Sequence, residues 1–149
     1  MPLCRFTALA RTDSNTHERV KMNVVRRKPA HEDPRGTITD ILEDDDVECV
    51  TLITSSEGAV RGNHYHKETI EYTYILSGRM RVLEQVPGGL VEEHVLEPGD
   101  LLTTPPLVRH TLVAVEDSTF IACAHGPRRG KKYEDDTFRL EEPLWPPSV

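Results

Sequence analysis

The chain has 149 residues and a formal charge of −7, enough for one domain with one core and of the wrong sign for a polyanion, so nucleic acid is not an expected partner. No stretch approaches the roughly 20 apolar residues of a membrane span, and the first ten residues carry no signal-peptide run; the chain reads as cytoplasmic, with no membrane partner. Cys4, Cys49 and Cys123 are few and widely separated, which indicates neither a disulfide framework nor a thiolate zinc site and leaves reduced thiols as the expectation.

Residues 1–21 are polar and without periodicity, which predicts a flexible N-terminal extension. Met22 opens a more strand-like text, and residues 22–149 are expected to form a single domain with its core over about 36–125. After Pro34-Arg35-Gly36 come short β-rich runs parted by turn residues: Thr37 to Leu42, Val47 to Thr54, Gly62 to His66, Ile70 to Leu76, Arg79 to Val86, Leu90 to Leu96, Leu101 to Thr104, His110 to Val115 and Thr119 to Ala124. None keeps a helical period, so the expected class is all-β, a sandwich or closed barrel with few helices. The clearest hairpin is Arg79 to Leu96, turned at Pro87-Gly88-Gly89. The stretch after Gly126 is charged and then proline-rich, and its Trp145 is expected to pack on the barrel or on a partner subunit.

The segment Gly58-Ala-Val-Arg-Gly-Asn-His64-Tyr-His66-Lys-Glu-Thr-Ile-Glu71, continuing to Gly78, carries the most chemistry. Residues two apart on a strand share a face, so His64 and His66 can converge on one ion, with Tyr65 turned away. A turn at Lys67 to Thr69 brings Glu71 alongside. Imidazole with carboxylate suits one divalent transition metal (iron, manganese, nickel, copper or zinc) better than calcium.

This segment resembles the first motif of the cupin superfamily, whose fixed positions are met by Gly58, His64, His66, Glu71 and Gly78. The second motif is matched by Gly99, Pro105 and His110, with Leu107 where the family usually has glycine and Ala114 where it usually has asparagine. The resemblance covers about Gly36 to His125. It implies a cupin barrel, a double-stranded β-helix of jelly-roll type, with the ion held by His64, His66, Glu71 and His110. It also implies a homodimer. Within the superfamily, Arg61 to Lys67 and the Pro34-Arg35-Gly36-Thr37 entry are similar to cupins of bacterial polysaccharide and sugar-nucleotide pathways, among them the sugar ketoisomerases. Ketoisomerases often work without metal, and the complete ligand set here sets this chain apart from them.

Around the ligands, Thr73 and Ile75 share the face of Glu71 and should line the interior, while Tyr72 and Tyr74 face away. Arg61, Arg79 and Arg81 are the candidate anion holders, Arg79 and Arg81 by their spacing on one strand face. Arg81 and His125 are the candidate catalytic groups, His125 as a general base provided that Ile121 and Cys123 face inward with it. His94 is expected on a solvated face. The run Arg128-Arg129-Gly130-Lys131-Lys132 lies beside Glu134-Asp135-Asp136, so its local charge nearly balances. The resulting expectation is a metal-dependent isomerase or epimerase acting on a small oxygenated molecule, a sugar or sugar nucleotide. The alternatives are a non-heme iron dioxygenase built on the same ligands and a non-catalytic small-molecule-binding or accessory protein.

Overall fold

The computed structural model describes residues 21–145; the expected extension over 1–21 falls almost wholly outside them. The described chain is all-β. It contains β1 (Asn23–Arg26), β2 (His31–Asp33), β3 (Gly36–Ile38), β4 (Cys49–Ser55), β5 (Val60–Tyr65), β6 (Ile70–Ser77), β7 (Met80–Gln85), β8 (Val91–Leu96), β9 (Asp100–Thr104), β10 (Arg109–Ala114), β11 (Ser118–His125) and β12 (Phe138–Arg139), with one short 3-10 turn at Gly130–Lys132. Among the described residues no helix is long and apolar enough to cross a membrane.

Two antiparallel five-stranded sheets face each other as a jelly-roll-like sandwich. One has the order β1-β9-β6-β11-β4 and the other β12-β5-β10-β7-β8. Between them Ile75, Met80, Val82, Leu96, Leu102 and Val108 are fully buried, joined by Phe120 and by Met22 ahead of β1. Most of these sit at alternate positions of their strands, the period that puts every second side chain on one face. A smaller cluster, Tyr72, Leu101 and Cys123, lies on the outer face of the first sheet under Ile41 and Leu42. The β7–β8 hairpin has the expected register, with Met80 opposite Leu96 and Gln85 opposite Val91.

Three readings are corrected here. The strand expected over Thr37 to Leu42 is instead a small β2–β3 hairpin, because the Asp33 carboxylate accepts the Arg35 backbone N–H and guanidinium and closes the turn one run earlier. The sheets extend beyond 36–125, since β1 pairs with β9 and β12 with β5. His94 is not simply solvated: its ring lies 2.8 Å from Glu84 Oε1, while Glu84 Oε2 accepts the Met22 backbone N–H at 2.7 Å. Glu84 is 2% exposed, so these two partners are what make a carboxylate tolerable at that depth.

Candidate metal centre

β5 and β10 pair with His64 opposite His110. The two strands approach closely at Gly62, where φ is +90° and a Cβ would lie 2.8 Å from the His110 carbonyl oxygen, so only glycine permits this register. His66 follows β5, and Glu71 enters from β6 in the opposite sheet. One donor atom from each of His64, His66, Glu71 and His110 can be chosen so that all lie within 4.8 Å of one another. The rings of His64 and His66 are 4.8 Å apart at their centroids, those of His64 and His110 4.7 Å.

Two of the rings are oriented by backbone carbonyls. His66 Nδ1 donates to the Asp136 carbonyl at 2.7 Å and His110 Nδ1 to the Val108 carbonyl at 2.9 Å. A carbonyl only accepts, so Nδ1 carries a proton and Nε2 is the nitrogen turned toward the cluster, where the neutral ring presents its lone pair. His66 Nε2 is buried without a hydrogen-bond partner. It lies 3.3 Å from Glu71 Oε2, and His110 Nε2 lies 3.5 Å from the same oxygen. An orphaned, buried imidazole nitrogen within a ring of donors fits a divalent ion with bonds of about 2.0–2.2 Å, and small side-chain movements would close the set around it.

Burial and the Glu71 carboxylate set the charge states of the cluster. Burial, with His110 and His66 nearby, pushes the His64 imidazole down to about 3, so it is neutral. Burial opposes the charge of Glu71, but the His110 and His66 rings and Arg128 outweigh it and hold the carboxyl well below its ordinary range. Burial also opposes a proton on His66, and the neighbouring Glu71 carboxylate overrides it, raising the ring's affinity. Glu71 is thus ionised with one oxygen, Oε2, toward the histidines; the other, Oε1, lies 3.1 Å from Arg128 Nη1.

A cavity of about 290 Å³ opens over this cluster. His64, Glu71 and His110 form its floor, Arg61, Thr73 and Phe120 part of its wall, and Arg128, Tyr133, Glu134, Thr137 and Arg139 its other side. That second group belongs to a strap, residues 126–145, laid along β5. Phe138 stacks on Tyr65 at 5.3 Å, and Leu140 N–H donates to the Asn63 carbonyl. The Asn63 side chain accepts the Leu144 N–H at 2.9 Å, and the Asp136 carboxylate accepts the backbone N–H groups of Lys67, Glu68 and Thr69.

The structure therefore brings His64, Glu71, His110, Arg61 and Thr73 to one cavity, with His66 buried in the ligand cluster beside it. It does not bring Arg79, Arg81 or His125 there. Arg79 pairs with Glu116 at 3.3 Å and Arg81 with Glu93 at 3.1 Å, because the inward face of β7 is taken by Met80, Val82 and Glu84. Arg81 also lies 5.1 Å from the Trp145 ring, so Trp145 does return to the barrel. His125 lies 3.4 Å from Glu48; β11 turns Phe120, Ala122 and Ala124 inward opposite Ile75, Thr73 and Glu71, which leaves Ile121, Cys123 and His125 on the other face. Sequence patterning singled out the charge run that holds Arg128 and Glu134 but did not place it, Tyr133, Thr137 or Arg139 at the cavity, since a polar, aperiodic segment gives no sign of where it docks.

Residues 51–123 match the family model described as a cupin domain. The UDP-2-acetamido-2,6-β-L-arabino-hexul-4-ose reductase of Pseudomonas aeruginosa is 36% identical over 53 residues, 36% of this chain and 14% of that protein. The matched stretch is thus about a seventh of the curated relative. Among solved structures, a double mutant of the 3,4-ketoisomerase QdtA from Thermoanaerobacterium thermosaccharolyticum, in complex with TDP, superposes with a TM-score of 0.66 at 24% identity, covering 80% of this chain and 88% of that one. The dTDP-4-dehydrorhamnose 3,5-epimerase from Sulfolobus tokodaii gives 0.65 at 20% identity, covering 78% and 74%. At these identities the likeness is one of fold.

Proposed function

The chain is a member of the cupin family, and from that premise we propose that it is a metal-dependent isomerase or epimerase acting on a sugar or sugar nucleotide. The observation that carries the metal part is the convergence of His64, His66, Glu71 and His110 with two Nδ1–H groups tied to carbonyls. The sugar part is supported by the fold shared with a ketoisomerase that binds TDP and with a sugar-nucleotide epimerase. The bound ion would supply Lewis acidity toward a carbonyl or hydroxyl oxygen. The chain's own residues do the rest. The cavity, about 290 Å³, is at the lower end of the roughly 300–1,000 Å³ of small-molecule pockets, so it encloses a sugar-sized group and leaves any nucleotide at the mouth. Thr73 and Thr137 offer hydroxyls to orient that group, and Tyr133 and Glu134 are cavity-lining groups outside the ligand set able to exchange a proton. Arg139 holds Glu134 ionised through bonds of 2.8 and 2.9 Å.

Elemental analysis of the full chain, purified without chelator or metal-binding tag, tests the reading. One transition metal per chain is expected, with most of it lost in His66→Ala; a wild-type protein that binds no metal, or a His66→Ala variant that keeps it all, overturns the ligand set. Conversion of a 4-keto sugar nucleotide, followed by NMR, is expected without oxygen uptake. Stoichiometric iron with substrate-dependent oxygen consumption would assign a dioxygenase instead.

A further inference from the structure

We propose that Arg128 is the anion-recognising residue of this cavity, gripping a carboxylate or phosphate oxygen group of the substrate beside the metal centre; the proposal rests on the reading of the site given above. Three arginines line the cavity, and two of them have other partners. Arg139 is bound twice by Glu134, and Arg61 donates to Ser55 Oγ at 2.7 Å and to the Thr54 carbonyl at 2.8 Å. Among the described residues Arg128 has one ion pair, Nη1 to Glu71 Oε1 at 3.1 Å, and it shares that carboxylate with His66 and His110, which face the other oxygen. Its Nε is buried and has no hydrogen-bond partner.

A guanidinium presents two donor edges, each matched to a pair of oxygens. In Arg128, Nη1 is engaged by Glu71 and the Nε side is left unsatisfied, in a side chain only 23% exposed. A buried donor with no acceptor at the wall of a cavity calls for an oxygen anion. The residue is also well placed. Its backbone N–H donates to Thr69 Oγ1 at 3.1 Å, and Gly126 packs so tightly on Thr69 that a Cβ would lie 2.7 Å from the Thr69 Cα. The backbone leading into Arg128 is therefore fixed relative to the turn between His66 and Glu71. The cavity holds three arginines against two carboxylates in a chain whose net charge is −7, a local reversal of sign that a divalent ion would deepen and that suits an anionic substrate.

The test is calorimetric titration of the nickel-loaded full chain with glycolate and with TDP, alongside its nickel affinity and melting temperature. In Arg128→Met the affinity for at least one probe is expected to fall about 10- to 100-fold, with Arg128→Lys intermediate and nickel affinity within about threefold of wild type. Glycolate alone would identify a carboxylate and TDP alone a phosphate. Unchanged probe affinity in Arg128→Met, no binding of either probe to wild type, or a loss of nickel that accounts for the loss of probe would each overturn the proposal. A wild-type chain that takes up no nickel would instead refute the metal reading. The same titration of the metal-free protein then decides Arg128 separately, upheld by a fall in Arg128→Met and overturned without one. Should Arg128→Met fail to fold, the Arg128→Lys comparison carries the decision.

Discussion

Replacing Asp136 tests whether the strap holds the ligand-bearing turn. Its carboxylate accepts four hydrogen bonds, from the N–H groups of Lys67 (2.9 Å), Glu68 (3.0 Å) and Thr69 (2.7 Å) and from Thr69 Oγ1 (2.8 Å). Lys67 and Glu68 are exposed and can turn to water, whereas Thr69 is 0% exposed and cannot. Counting only the two bonds from Thr69, at about 1.5–3 kcal/mol for a bond to a charged group, Asp136→Ala should lower stability by about 3–6 kcal/mol. Asp136→Asn keeps an acceptor for Thr69 but sets an amide N–H against the Lys67 N–H, and about half that loss is expected. Because the Asp136 carbonyl is the partner of His66 Nδ1, metal affinity should fall by about 10–100-fold in Asp136→Ala. Urea unfolding at neutral pH and competition with a chromophoric chelator measure the two effects. An Asp136→Ala protein within about 0.5 kcal/mol of wild type, the range of a surface substitution, would refute the assignment of the strap as the support of that turn.

Leu107 has φ +69° and is 49% exposed, and its N–H donates to the His66 carbonyl. Leu107→Gly removes strain of about 1–2 kcal/mol and forfeits about 1 kcal/mol of half-burial and chain entropy, so a gain of up to about 1 kcal/mol is expected; a fall in the urea midpoint would show that the leucine side chain imposes the loop. Asp100 ties β1 to β9 through Arg26, with bonds of 2.7 and 3.0 Å. Burial raises its pKa, but the Arg26 guanidinium and the Glu97 N–H outweigh burial and the net shift is downward. The folded value lies below the unfolded one, so this contribution is complete above about pH 4 and is lost as pH falls through the folded value. Asp100→Asn should flatten the acid limb of the stability profile below about pH 4, and parallel urea-unfolding profiles for the two proteins would contradict it.

What the sequence disclosed and what it hid follow from where the information resides. The convergence of His64, His66 and Glu71 was readable because strand parity and one tight turn bring them together, and the β6 phase was readable because Thr73 and Ile75 alternate with Tyr72 and Tyr74. The phase of β11 was not. Both of its faces are apolar, Phe120 and Ala122 on one and Ile121 and Cys123 on the other, so alternation could not say which way His125 points. For β7 the signal existed, since Met80 and Val82 mark the inward face and turn Arg79 and Arg81 out. The strap left no such trace. It is held by side chains bonding to distant backbone, Asp136 to residues 67–69 and Asn63 to residue 144, and such bonds have no period. The position that departs from the cupin glycine, Leu107, keeps the left-handed backbone a glycine would adopt without strain, so the departure alters the loop's energy and leaves its bond to the His66 carbonyl in place.

The division of the ligands between the sheets bears on how folding and metal binding are coupled. His64 and His110 stand on one sheet and Glu71 on the other, so an ion held by all of them would join the two halves of the sandwich and add its binding free energy to their association. The sandwich also has an apolar core of its own. Its buried cluster of Ile75, Met80, Val82, Leu96 and Leu102 is distinct from the ligand set, and Glu71 already has a cationic neighbour in Arg128. A carboxylate buried among imidazoles would otherwise be a strong liability. With Arg128 on Oε1 and the two histidine rings near Oε2, the charge of Glu71 is balanced by the chain's own groups before any cation binds.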